Sequence, residues 1–203
     1  MKILVIVLLW LLPLLADVGK IIYIKGDVSL IRNGQLKPSV VGMKLEEKDT
    51  LSTKKDALVK LLFADKSAVS IGSKSEFSIE NYLYDEKKNS AVAFKMKRGV
   101  FRIITGKIAK ISPEKFKFKT KTVTIGIRGT IFSGTMEKDK EEFFCEKGGI
   151  YVSSHGISVD VDKGYKTFVT PGRSPIAAKP YTDSDIQKIH TRTNGWKDKK
   201  CKK

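Results

Sequence analysis

His155 and His190 are the only imidazoles in a chain of 203 residues, and they limit its acid–base chemistry from the outset. His155 precedes Gly156 in a turn-like stretch, and His190 falls near the end of a helix-like one, where a cation complements the helix dipole. Neither has a neighbour of the nucleophile-elbow or zinc-helix kind, in which the second group sits at fixed spacing on the same element. Asp160 and Asp162 alternate on one strand face, but two carboxylates fall short of the oxygen cage that calcium requires. Cys145 and Cys201 lack paired Cys or His spacing, so they form no metal motif. The residue types predict no catalytic, cofactor-binding or metal-ligating residue, and the chain does not read as an enzyme.

What remains is contact chemistry. From Lys95 to Lys121 the chain places ten basic residues against Glu114 alone, within a formal net charge of +17. Such a balance favours association with anionic partners and says nothing of fold. Inside this stretch Phe116-Lys117-Phe118-Lys119-Thr120-Lys121 alternates, so a strand would put Lys117, Lys119 and Lys121 on one face and both phenylalanines on the other. A lysine row of this kind can dock an anionic polymer, and it equally serves to guard a sheet edge against aggregation. Arg128, between Gly126 and Gly129, has two readings: an anion contact facing a partner, or a fork bonding carboxylates and carbonyls across its own sheet. Cys145 and Cys201 form an even pair for which export would permit a disulfide. Alternatively, Cys145 packs as a small apolar residue after Phe143 and Phe144.

The elements that position these groups read as strands. Thr122 to Phe132 is a β-branched run interrupted by two glycines, and glycine within a strand marks a bulge, a bend or a close backbone approach. Gly19 to Leu30 alternates apolar and polar residues, and Asn33-Gly34 after it is a strong hairpin signal. Lys37 to Ser52 reads as a connection with a short strand. Ala57–Phe63, Ala68–Ile71 and Glu76–Tyr84 read as strands separated by turns. Ala91–Met96 and Val100–Ile104 flank an expected turn at Lys97-Arg98-Gly99. Later, Gly149, Gly156 and Gly164 separate strands near Ile150–Ser153, Ile157–Asp162 and Tyr165–Thr170. Short strands with glycine turns predict an all-β body, a sandwich or a short solenoid-like stack. One helix is expected over Asp183–Thr191, opened by a capping box of Thr182 and Asp185, with a loose tail from Asn194.

The first sixteen residues stand apart. Lys2, the apolar run Ile3–Leu15 and Ala16 have the layout of a secretory signal, too short for a comfortable membrane span. Leu14 fits the cleavage rule poorly, which leaves an uncleaved anchor as the alternative, and no cysteine flanks the cut to suggest a lipid-anchored precursor. The expected division is residues 1–16 as signal peptide, 17–172 as one β domain and 173–203 as an extension with a short helix and basic tail.

Several segments of this body resemble the FecR-type domain. Ala57 to Ser67, with Ala64-Asp65-Lys66-Ser67 at its end, and Ile71-Gly72-Ser73-Lys74-Ser75 through Ile79 are similar to the family's central strands and turns. Arg98-Gly99-Val100-Phe101-Arg102 resembles its next glycine-led strand. Lys119-Thr120-Lys121 through Ile127-Arg128-Gly129-Thr130-Ile131-Phe132 resembles its most distinctive element. Lys66 stands where the turn glycine is usual and Lys121 where proline is usual. A lysine in a left-handed turn costs on the order of 1–2 kcal/mol, which a fold can bear. The resemblance, over roughly Val18 to Thr170, implies an extracytoplasmic β-rich module. The family's signalling members carry a cytosolic anti-sigma segment and a membrane span ahead of this domain. The residues ahead of Val18 read only as a leader, so the expectation is a periplasmic or secreted module and not a complete transmembrane regulator.

The expected function is that of an exported, non-catalytic FecR-like binding module that engages an anionic envelope polymer or an envelope protein. Lys117, Lys119, Lys121 and Arg128 are the contact candidates. The alternative is a structural or assembly component of the envelope acting through sheet-edge protein contacts. Nucleic acid is disfavoured outside the cytoplasm, no cofactor is expected, and a membrane would enter only through an uncleaved signal.

Overall fold

Period-two alternation is realised from Gly19 onward as strands in two facing sheets, in a computed structural model that describes residues 17–194. In chain order these begin with β1 (Gly19–Lys25), β2 (Val28–Arg32), β3 (Gln35–Pro38), β4 (Lys44–Leu45) and β5 (Thr50–Thr53). They continue with β6 (Leu58–Phe63), β7 (Ala68–Ile71), β8 (Glu76–Leu83) and β9 (Ala91–Ile104). A short helix, α1 (Ile108–Ile111), and a 3-10 turn over Pro113–Lys115 lead into β10 (Phe116–Lys119), β11 (Thr124–Ile127) and β12 (Ile131–Met136). Then come β13 (Glu141–Lys147), β14 (Gly149–Ser154), β15 (Ile157–Asp162), β16 (Tyr165–Val169), β17 (Lys179–Pro180) and helix α2 (Asp183–Asn194).

One sheet runs β4-β1-β6-β7-β9-β12-β13-β16-β17. The other runs β3-β2-β5-β8-β9-β10-β11-β14-β15. β9 belongs to both. Its first half pairs β8 and β10, and its second half, from Gly99, pairs β7 and β12. The pairings are antiparallel apart from β9 with β10, so the architecture is all-β with one parallel contact. Between the sheets lies a core whose fully buried rings include Phe63, Phe94, Phe101, Phe118 and Phe132. Rings from opposite sheets meet directly: Phe63 and Phe94 at 4.8 Å between centroids, Phe101 and Phe118 at 4.3 Å. Each such pair adds roughly 0.5–1.5 kcal/mol to its area burial. The all-β body expected from the strand pattern is thus present, as two facing sheets with the core between them.

Three expectations are corrected. Gly19 to Leu30 is not one strand: Gly26 (φ +73) turns a corner, so β1 and β2 lie in different sheets. The turn expected at Lys97-Arg98-Gly99 is a bend inside β9, where Gly99 (φ +108) hands the strand from one sheet to the other. The single expected helix is accompanied by α1. By contrast, Asn33 (φ 52) and Gly34 (φ +75) form the expected two-residue hairpin turn between Arg32 and Gln35.

α2 is opened by the expected capping box. The Thr182 N–H donates to Asp185 Oδ2 at 3.0 Å, and the Asp185 N–H to Thr182 Oγ1 at 3.2 Å. It extends to Asn194, three residues beyond the expected end, and buries Ile189 against Val100 and Phe144 with Tyr181 and Ile186 alongside. The expected signal, the tail beyond Asn194 and Cys201 lie outside the described residues. No helix among the described residues is long and apolar enough to cross a membrane.

Candidate functional site

β10 carries its residues as alternation requires: Phe116 and Phe118 are fully buried, while Lys117 and Lys119 face outward. The row stops there. Thr120 ends the strand by turning its hydroxyl inward, where it accepts from the Thr122 and Val123 N–H groups and donates to Glu141 Oε2 at 2.6 Å. Lys121 is therefore exposed in the bend beyond the strand, off the Lys117–Lys119 line. Nor is β10 an edge, because it lies between β9 and β11. The edge-guarding reading of the lysine row is overturned.

The parallel register sets Ala93 beside Lys117 and Lys95 beside Lys119. Ala91 and Ala93 have no bulk to fill the surface above β9, and an open groove of about 590 Å3 results, walled by Lys48, Glu80, Asn81, Glu114, Lys115, Lys117 and Lys119. Glu80 is the carboxylate paired with lysines there, 3.4 Å from Lys95 and 3.8 Å from Lys119. Solvent-exposed pairs of this kind contribute about 0–1 kcal/mol, so the lysines can exchange Glu80 for an incoming carboxylate or phosphate at little cost. Farther out, Tyr151 lies across Gly126, and the Lys117 ammonium sits 5.9 Å from the centroid of that ring. Gly126 is thus explained by close approach: a side chain there would occupy the tyrosine's place.

Arg128 takes the fork arrangement of its two readings. It packs over Gly149 and reaches Asp162 at 3.0 Å and Asp160 at 3.4 Å, all three side chains exposed. The two aspartates considered for calcium are thereby matched to a guanidinium. Gly129 (φ +65) carries the chain from β11 to β12 and so from one sheet to the other.

The histidines do not converge on a pocket. His155 (φ 49) sits in the β14–β15 turn with Nδ1 2.8 Å from Ser154 Oγ, whose own proton goes to the Thr122 carbonyl at 2.8 Å. His190 has a role the sequence did not signal. Its Nε2 lies 2.9 Å from Glu146 Oε2, and Arg102 grips the same carboxylate through Nε at 3.0 Å and Nη2 at 2.8 Å. Ser133 Oγ adds a bond at 3.2 Å. Burial pushes the Glu146 carboxyl upward, but the Arg102 and His190 bonds together outweigh it and leave its pKa below the usual range. Glu146 thus ties α2 to β9, β12 and β13. The four residues are scattered from position 102 to 190, so no spacing rule could have grouped them.

Cys145 is fully buried, as its packing reading expects, with Sγ 3.6 Å from Thr130 Oγ1, and burial raises its pKa. The pairing with Cys201 concerns a residue outside the described region. Among the described residues no group of three or more His, Cys, Asp or Glu side chains is placed to hold a metal ion.

The segments that carried the family resemblance turn out to be joints. Asp65, buried in the β6–β7 turn, accepts from the Tyr82 hydroxyl at 3.0 Å, the Ser67 N–H at 3.0 Å and hydroxyl at 2.7 Å, and the Ile108 N–H at 3.3 Å. Lys66 adopts φ +70, the left-handed conformation expected where glycine is usual. Ser75, fully buried, accepts the Val100 N–H just after the Gly99 bend, and the Thr130 hydroxyl donates to the Lys147 carbonyl.

A family model described as FecR protein matches residues 49–151, just over half of the 203. Two crystal structures of a candidate anti-sigma factor from Parabacteroides distasonis ATCC 8503, at 1.65 and 2.50 Å resolution, are similar in fold. Each superposes with a TM-score of 0.55 at 11% identity, covering 68% of this chain and 62% of that one. This chain therefore spans less than two thirds of their length, and the likeness is one of fold. No curated protein matches the sequence.

Proposed function

The chain belongs to the FecR protein family, and from that premise we propose that it is a non-catalytic binding module acting outside the cytoplasm. Its contact surface is the outer face of the β9–β10 sheet, and its partner is an acidic segment of an envelope protein or an anionic envelope polymer. The groove over Ala91 and Ala93 carries this reading, because Lys48, Lys115, Lys117 and Lys119 border it against two carboxylates, Glu80 and Glu114, of which Glu80 is paired with Lys119 and is the one to displace. Lys121 extends the positive rim; Arg128, already matched by two aspartates, contributes less. In this reading residues 1–16 direct export, 17–172 form the binding domain and 173–203 extend it, with α2 latched to the sheet.

Charge reversal tests it. Lys117→Glu with Lys119→Glu places two carboxylates beside Glu80 on an exposed face, away from the core. Retention of the full chain on polyglutamate beads and on isolated envelope fractions is expected to fall at least about tenfold. Retention of the native chain should weaken steadily as salt shortens the screening length from about 10 Å at 0.1 M. Unchanged retention of the double variant sinks the proposal.

A further inference from the structure

Four of the eight large apolar side chains exposed among the described residues gather at one pole of the domain. Leu36 is 68% exposed, Val41 61%, Val40 59% and Ile22 42%. At this pole the edge strands β3 and β4 are joined by Ser39–Met43, whose turn closes through the Met43 N–H to Val40 carbonyl bond at 3.2 Å with Gly42 at φ +88. The turn is also pinned to β1. The Gly42 N–H donates to the Ile21 carbonyl at 2.8 Å, and the Ile21 N–H to the Met43 carbonyl at 2.9 Å. Its backbone is held while its two valines face water, and an apolar patch on a rigid support marks an interaction site more than a flexible loop would.

The charge around the turn points to the partner. Lys20, Lys37 and Lys44 stand exposed on the strands beside it. The described chain also enters the domain here: the Val18 N–H donates to the Leu45 carbonyl at 2.9 Å, and Asp17 pairs with Lys44 at 2.5 Å. Only two residues lie between Val41 and Lys44, so Asp17, the first described residue, stands beside the turn that carries the exposed valines.

We propose that this pole docks on the surface of a lipid bilayer. Val40 and Val41, with Ile22 and Leu36 beside them, enter the boundary between headgroups and acyl chains, and the flanking lysines meet lipid phosphates. Apolar area and adjacent cationic charge are the two terms that set interfacial binding. This surface is distinct from the lysine groove, so the proposal goes beyond the binding reading and stands or falls apart from it.

Amide hydrogen exchange of segment 36–43 in the full chain, with and without phosphatidylglycerol-containing vesicles, reads it directly. Vesicles are expected to slow exchange across the segment at least about tenfold. Val40→Asp with Val41→Asp should restore the vesicle-free rate. Both valines are more than half exposed, so the thermal midpoint should hold; if it drops, Val40→Ser with Val41→Ser is read in its place. Exchange unaltered by vesicles overturns the proposal. So does slow exchange already present without them, which would mean that residues 3–15 or a second copy cover the turn.

Discussion

Tyr151 lies so flat across Gly126 that a Cβ on the glycine would stand 1.9 Å from the ring's Cζ. The contacting atoms are the far end of the tyrosine side chain, so a substitution at Gly126 ejects the ring and leaves the backbone in place. The effect of Gly126→Ala must then depend on whether Tyr151 is present. With it, the substitution is expected to cost about 1 kcal/mol through lost packing and the freed Lys117. In a Tyr151→Ala background it should stabilise by about 0.5–1 kcal/mol, because alanine removes the entropic penalty of glycine in a strand. Denaturant midpoints of the four-member cycle measure this coupling, and additivity would rule the stacking out.

Gly99 is a different case. Its φ of +108 is combined with Ser75 Oγ 1.9 Å and Ser75 Cα 2.5 Å from any Cβ, so backbone and a fully buried side chain both block the site. Gly99→Ala is expected to destabilise by about 3 kcal/mol or more, since neither the bend nor Ser75 can give way without disturbing both sheets. Gly34→Ala is the control: φ is +75, but nothing lies within 4 Å, and a loss of about 1 kcal/mol is expected. Equal losses at the two glycines, by chemical denaturation, would mean that the bend is not a structural joint.

These two glycines also show what the sequence made legible. Strands with regular alternation and a local turn signal, such as Ala68–Ile71 and Ile157–Asp162, lie where the pattern puts them, because their information is local. Gly99 looks the same on paper as a hairpin glycine; only the pairing of β9 with two sheets tells a bend from a turn. α1 was invisible for a related reason. Its own first residues offer no cap, and Asp65, 43 positions upstream, accepts the Ile108 N–H. Two of the three lysines of the row were readable from alternation, yet the groove needed Ala91 and Ala93 from the parallel neighbour, a register that no local rule predicts.

Asp65 gives a graded prediction. One buried carboxylate satisfies Tyr82, both polar groups of Ser67 and the first N–H of α1. Asp65→Ala leaves those donors buried without an acceptor and is expected to cost about 4 kcal/mol. Asp65→Asn keeps one acceptor oxygen and should cost less, about 2 kcal/mol. Tyr82→Phe, which deletes the donor to this carboxylate and the acceptor of the Asp65 N–H, should cost about 1–2 kcal/mol. Thermal or urea unfolding that places Tyr82→Phe above Asp65→Ala would show that the tyrosine, and not the carboxylate, holds this joint.

Glu146 predicts the acid limb of stability. Its folded pKa is lowered: burial opposes ionisation, but the Arg102 and His190 bonds win. A lowered carboxylate pKa means that the unfolded chain binds more protons in acid, so stability rises with pH there. The contribution is fully present above the unfolded value of about 4.3 and is lost as pH falls through the folded value. Asp185 follows the same sign, with its pKa held at about 2 by the Thr182 backbone N–H and by Lys166. Because Glu146 joins β9, β12 and β13 to α2, its protonation should loosen the helix first. Urea midpoints between pH 7 and pH 3 are expected to fall less steeply in Glu146→Gln than in the native chain, from a lower starting stability at pH 7. Glu146→Ala, which leaves Arg102 without its partner, should lose about 3 kcal/mol at neutral pH. Identical acid limbs in the native and Gln chains would mean that other carboxylates carry the dependence and that the latch is not charged when it holds.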